Sequence, residues 1–268
     1  MIPVRIRFSL ASPIAFSGAS VYRPIMFDGL LGAMWAREKG LVKTPTENMK
    51  SQLIFPELPL ELINGRYYAA SAMFLPEDAP ATMRMDGLVK PADWCDAFAH
   101  HIPSARNNFF RANTMWSRAA MEKFWLLTTP YIDFYARITD VETFQRYMAR
   151  LRKSGFIGSK HRMGFGKILG IDVQQVKDDW SLYRDGLPTR PIPVQDFEGA
   201  GDAAKGMSTI YPPYWFTANE ELCCLPRQSQ YIPREHLDEM EGKLQEMFRQ
   251  FQLRSERKEV AKRKECVK

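Results

Sequence analysis

Hydrophobic and polar positions alternate strictly at the start of the chain. Val4, Ile6, Phe8 and Leu10 interleave with Arg5, Arg7 and Ser9, a period of two that predicts a half-buried strand over 4–10. A turn-rich link, "ASPIAFSGASVYRP", follows. Over "MFDGLLGAMWAREKG" the period lengthens: Leu30, Leu31, Met34 and Trp35 form an apolar stripe, Asp28 is the expected N-cap, and Gly40 the stop. Residues 41–63 read as a proline-punctuated connection and 66–75 ("RYYAASAMFL") as a strand. In 131–138 ("YIDFYARI") Ile132, Phe134, Ala136 and Ile138 face one way, and Tyr131, Asp133, Tyr135 and Arg137 the other. A helix over 141–153 carries Phe144, Tyr147, Met148 and Leu151 at helical spacing, and a strand is expected over 167–176.

The predicted order is strand, helix, strand, insertion, strand, helix, glycine loop, strand. This is an α+β class, ferredoxin-like (RRM-like) βαββαβ body over 1–176, with a long insertion, 77–129, between its middle strands. Residues 177–268 form a C-terminal extension. Within it, 177–208 read as polar loop, "TIYPPYWFTANEELCCLP" (209–226) as one or two strands folding back, and the stretch from Pro233 as a helix. The apolar face of that helix is Leu237, Met240, Leu244, Met247, Phe248 and Phe251.

Composition narrows the class. Of 268 residues, 45% are hydrophobic and 25% charged, which suits a globular chain with a sizeable core. No apolar run approaches the roughly 18 residues that would suggest a membrane span. "MIPVRIRFSL" lacks the pattern of a signal peptide, so a cytoplasmic location and no membrane partner are expected. The net charge of +6 is compatible with a nucleic-acid partner. Cys95, Cys223, Cys224 and Cys266 form no CxxC pair, and Cys95 with His100 and His101 lacks a second ligand pair at zinc spacing. Reduced thiols, no metal and no cofactor are the expectation.

The glycine segment "SGFIGSKHRMGFGK" (154–167) excludes two nucleotide-binding readings. A Walker A loop needs Ser or Thr after GK to hold magnesium; Ile168 follows Gly166-Lys167, and His161 stands where the first glycine belongs. A dinucleotide fingerprint needs a strand before and a helix after; here the order is reversed. What remains is a flexible backbone with positive charge. From Arg146 to Lys167 lie Arg146, Arg150, Arg152, Lys153, Lys160, Arg162 and Lys167, and no acid. Arg146, Arg150 and Lys153 share a helix face, so phosphate is the expected ligand. In the insertion, "SARNNFFRANTMWSRAAMEKFW" interleaves cations with aromatics that can stack bases. Trp116, Phe124 and Trp125 read as the buried side of a helix. Arg106, Phe109, Phe110 and Arg111 are the exposed candidates.

These features together resemble the CRISPR RAMP superfamily: the βαββαβ pattern, the mid-body insertion and the loop "SGFIGSKHRMGFGK". The segments "PIAFSGASVYRPIMFDGLLGAMWARE" and "YPPYWFTANEELCCLP" are most similar to the small foot subunit of type IV CRISPR effector complexes. The resemblance implies a non-catalytic subunit that caps the 5′ handle of the crRNA. Its partners would be the backbone and large subunits and the target DNA near the protospacer-adjacent motif. It implies RNA contacts at Gly155, Gly158, Lys160, His161, Arg162, Gly164, Gly166 and Lys167, with 77–129 as the thumb.

Two other classes stay open on the residues. One is a metal-independent crRNA-processing endonuclease of the same superfamily, for which His161 is the candidate acid or base beside His100 and His101. No second catalytic group is fixed by the sequence. The other is a protein-only adaptor docking through its C-terminal helix.

Overall fold

The computed structural model describes residues 1–17, 23–40, 56–90, 120–199, 203–214, 220–243 and 245–246. Among the described residues it is a mixed α+β structure with several small antiparallel sheets and three α-helices. The central sheet places β1 (Ile2–Leu10) between β7 (Tyr131–Ile138) and β8 (Ile168–Gln175), antiparallel to both. The alternation in β1 and β7 works as expected: Ile6, Phe8, Ile132, Phe134 and Ala136 are fully buried. Two helices cover that apolar face, α1 (Phe27–Glu38) and α2 (Val141–Ser154). Phe27 joins them, with its ring 5.5 Å from Phe134 of the sheet and 6.2 Å from Phe144 of α2.

The capping of the helices differs from expectation at one end. Asp140 caps α2, accepting from the amides of Glu142 and Thr143, and the Thr143 side chain together with these amides lowers its pKa. Asp28 does not cap α1. Met26 holds the cap position, and the Asp28 carboxylate is buried in an ion pair with Arg190. Asp28 is the second residue of the helix, and its carboxylate is taken up by Arg190 and the Tyr214 hydroxyl.

The strand expected over 66–75 is broken. Only Leu62–Ile63 (β3) and Tyr67–Tyr68 (β4) form a regular pair, and 70–74 touch β7 through isolated bridges at Ala136 and Asp133. Along this stretch the Ser71 amide donates to Tyr135 and the Phe74 amide to Asp133, whereas Ala72, Met73 and Leu75 donate to Thr189, Ile25 and Gln230. The outer edge is thus shared among three separate segments, and the small side chains of Ala69–Ala72 let them approach.

A second sheet has the order β2 (Ile14–Ser17), β6 (Ala120–Thr128), β5 (Thr82–Lys90). It overturns two readings. The "ASPIAFSGASVYRP" link contains a strand, and Phe124 and Trp125 lie on a strand rather than a helix. Both faces of β6 are covered, by Phe124 and Leu126 on one side and Trp125 and Leu127 on the other, so no alternation was visible. β5 and β6 form the base of the 77–129 insertion; Arg106, Phe109, Phe110, Trp116 and Arg111 fall outside the described residues.

The stretch 177–208 is not simply loop. It holds a hairpin, β9 (Tyr183–Arg184) and β10 (Leu187–Pro188), then β11 (Ile192–Pro193) and β12 (Lys205–Thr209). β11 and β12 flank β13 (Glu220–Cys224). A helix, α3, occupies 234–243 and begins directly after Pro233, as expected. No helix among the described residues is long and apolar enough to cross a membrane.

Candidate nucleic-acid interface

The glycine segment is a built loop rather than a slack one. Helix α2 ends at Gly155, whose φ of +73° reverses the chain. A two-stranded base then closes the loop: the Ile157 amide donates to Gly166 at 2.8 Å, and the Ile168 amide to Gly155 at 2.8 Å. Two of the glycines are demanded by close approach as well as by positive φ. A Cβ at Gly166 would stand 1.8 Å from the Ile157 carbonyl oxygen, and one at Gly158 would stand 2.6 Å from Ile14 Cγ2.

The loop is fastened to the β1–β2 connection. The Gly166 amide donates to the Pro13 carbonyl (2.7 Å), the Ser159 amide to Ala15 (2.9 Å), and the Ala11 amide to Lys167 (2.8 Å). Ser12 acts twice, its hydroxyl donating to the Gly164 carbonyl and accepting from the Lys167 amide. On the far side the loop meets the second sheet: Phe165 packs on Phe124 at 5.7 Å, and Lys160 Nζ lies 5.9 Å from the centre of the same ring. Ser12, Ser159 and Phe165 were not among the expected site residues. Small or apolar side chains beside proline and glycine carry no distinctive sequence signal.

At the tip, Lys160 takes a left-handed conformation (φ +59°), a one-turn 3-10 helix covers His161–Met163, and Gly164 closes it at φ +83°. His161, Arg162 and Lys167 are exposed. The His161 ring stacks on Phe156 with centroids 5.6 Å apart. The tip therefore holds out cations and a heteroaromatic ring on a backbone anchored to two sheets, with no acidic residue in the loop itself. Such a surface suits a phosphate chain with a ring to stack.

The basic stripe of α2 is less uniform than its spacing suggests. Glu38, at the end of α1, pairs with Arg150 at 3.0 Å and reaches Arg146 at 3.8 Å. Arg152 donates to the Ile171 carbonyl of β8 and so clamps the helix end to the sheet edge. Lys153 is exposed on the last turn, close in sequence to the loop. The structure thus brings Lys153, Lys160, His161, Arg162 and Lys167 to one end of the fold and ties Arg146 and Arg150 to α1. Cys95, His100 and His101 lie outside the described residues. The chain matches no model of a known protein family and no curated protein.

Proposed function

We propose that this protein is a non-catalytic RNA-binding subunit of a type IV CRISPR effector, holding the 5′ handle of the crRNA on its glycine loop. The observation that carries the reading is the construction of that loop. Gly158 and Gly166 let the backbone cross neighbouring strands at contact distance, and Arg162 and Lys167 stand exposed beside the crossing.

The topology supports a ferredoxin-like body. The segment 70–74 runs beside β7, β7 beside β1, and β1 beside β8, with α1 and α2 on one face. With 70–74 counted as the second strand, the order agrees with the 2-3-1-4 expected of a βαββαβ chain. β5 and β6 rise between the second and third strands of that body and supply the base of a thumb that would meet the neighbouring backbone subunit. The large subunit and target DNA near the protospacer-adjacent motif are the further partners of this reading, and the protein would act in the cytoplasm.

The test is a salt titration of RNA affinity. Each phosphate contact to single-stranded RNA adds about 0.7 to the slope of log K against log salt. The variant Lys160→Ala/Arg162→Ala/Lys167→Ala is expected to lower that slope by about 2. An unchanged slope overturns the loop's role. Sequencing of RNA that co-purifies with the protein tests the CRISPR assignment, which fails if repeat-derived sequences are missing. Specific cleavage of the repeat RNA that is lost in His161→Ala would replace the reading with the endonuclease.

A further inference from the structure

The outer face of the central sheet, opposite α1 and α2, carries a second site. The arginines of β1 and the polar side of β7 point here, and the segments 74–78 and 180–184 rise beside them. Together they enclose a cavity of about 250 Å³ lined by Arg5, Arg7, Tyr131, Tyr135, Trp180 and Arg184. The cavity also touches Phe74, Leu75 and Pro76 and three carboxylates, Glu77, Asp78 and Asp133.

Its chemistry is specific. Two guanidiniums lie flat against aromatic rings: Arg7 stands 3.7 Å from the centre of Tyr131, and Arg184 stands 4.1 Å from the centre of Trp180. Each is neutralised in place. Arg7 donates twice to Asp133 at 2.8 Å, and Arg184 pairs with Glu77. The third carboxylate, Asp78, accepts from the Tyr131 hydroxyl. Arg5 is the exception. Its one side-chain bond is to Gln174 at 2.6 Å, and its Nε is buried without an acceptor among the described residues.

The size and charge decide what fits. A cavity of about 150 Å³ already admits a benzene-sized ring, so this one takes a single heteroaromatic ring and not a chain of them. Three carboxylates against three guanidiniums leave little field for a phosphate. A neutral planar group is favoured, and the guanidinium edge of Arg5 that lines the cavity can donate to one acceptor atom on it. Stacked guanidinium and aromatic planes are the surfaces on which bases lie.

We propose that this cavity binds one unstacked nucleobase of the RNA, with its ring against the Arg7–Tyr131 or Arg184–Trp180 stack and a base acceptor on Arg5. The inference rests on the RNA-binding reading but concerns the face opposite the helices, away from the glycine loop. It makes the protein a two-point binder, gripping phosphates on the loop and one base on the sheet.

The experiment is photocrosslinking of the full chain to a uridine-rich single-stranded RNA carrying 4-thiouridine, followed by mapping of the adducts. Adducts are expected both in the loop, 154–167, and on the sheet face, at 131–135 or 180–184. Arg5→Gln/Arg184→Gln is expected to reduce the sheet-face adduct by about tenfold, within the range that one stacked base contributes. The loop adduct should be unchanged, and its persistence shows that the variant is folded. Adducts in the loop alone overturn this proposal and leave the RNA-binding reading standing. Adducts nowhere overturn both. A sheet-face adduct that survives the double substitution overturns the roles of Arg5 and Arg184.

Discussion

Asp28 and Arg190, 162 positions apart in sequence, form an ion pair from which solvent is wholly excluded. The Tyr214 hydroxyl stands 2.7 Å from both Asp28 oxygens, and Arg190 also donates to the carbonyls of Tyr68, Ala70 and Ile210. The pair therefore ties α1, the β4 region and the C-terminal segment to one point. Removing one partner of a buried pair strands the other charge, which costs about 3–5 kcal/mol. Arg190→Met is expected to lose that amount in urea unfolding. Asp28→Leu/Arg190→Met should recover part of it, because an apolar pair carries no stranded charge. A single variant within about 1 kcal/mol of the parent would show that the pair is not a fastening point.

Gly164 and Gly166 separate two reasons for glycine. Both have positive φ, but a Cβ at Gly164 meets nothing within 4 Å, while one at Gly166 collides with the Ile157 carbonyl. Gly164→Ala should cost only the left-handed backbone term, about 1–2 kcal/mol, and leave RNA affinity close to that of the parent. Gly166→Ala must open the base of the loop, and is expected to lower the melting temperature further and abolish binding. Equal effects on thermal unfolding and affinity would contradict this geometry.

Glu38 holds Arg146 and Arg150 against α1. Exposed pairs of this kind contribute about 0–1 kcal/mol, so Glu38→Gln should barely change stability. The same change releases two cations on the helix that leads into the loop. If RNA passes along α2, the salt slope of its binding should steepen by about 0.7–1.4, one or two added phosphate contacts. A slope equal to the parent's would confine the RNA to the loop.

His236 sits in the first turn of α3 with its ring edge-on to Trp125 of β6, 4.6 Å away, and both ring nitrogens are buried with no hydrogen bond among the described residues. Burial lowers its pKa below 6.5, opposed by Glu239 at 4.0 Å. A depressed folded pKa means that the unfolded chain takes up the proton first. The stabilising effect of the neutral ring is present above the unfolded pKa and is lost as pH falls through the folded value. Between pH 7 and 5 the parent should lose stability with a slope of at most about 1.4 kcal/mol per pH unit from this group. His236→Phe should remove that component. Melting curves with the same pH dependence in both proteins would exclude His236 as its source.

Local patterning was enough for much of the body. Strict alternation in β1 and β7, the helical spacing from Phe144 to Leu151, and Pro233 before α3 each yield the observed element, because burial on one face repeats with the period of the backbone. Two hairpin turns were not read from the sequence, Asn64-Gly65 and Asp185-Gly186, where every residue has positive φ. Their flanking strands are only two residues long and show no alternation.

By itself, then, the sequence determined the elements whose apolar and polar positions keep the period of the backbone, the glycine loop and the concentration of positive charge around it. Tertiary structure decided the rest. β6 is covered on both sides, so its pattern is silent. The 66–75 stretch gives its amides to four segments distant in sequence, and Asp28, expected as a cap, is paired with Arg190, a partner no local window contains. It also decided which cations of one basic run are already paired: the positive charges read alike along the chain, and only the position of Glu38 separates Arg146 and Arg150 from the exposed Lys153, Arg162 and Lys167.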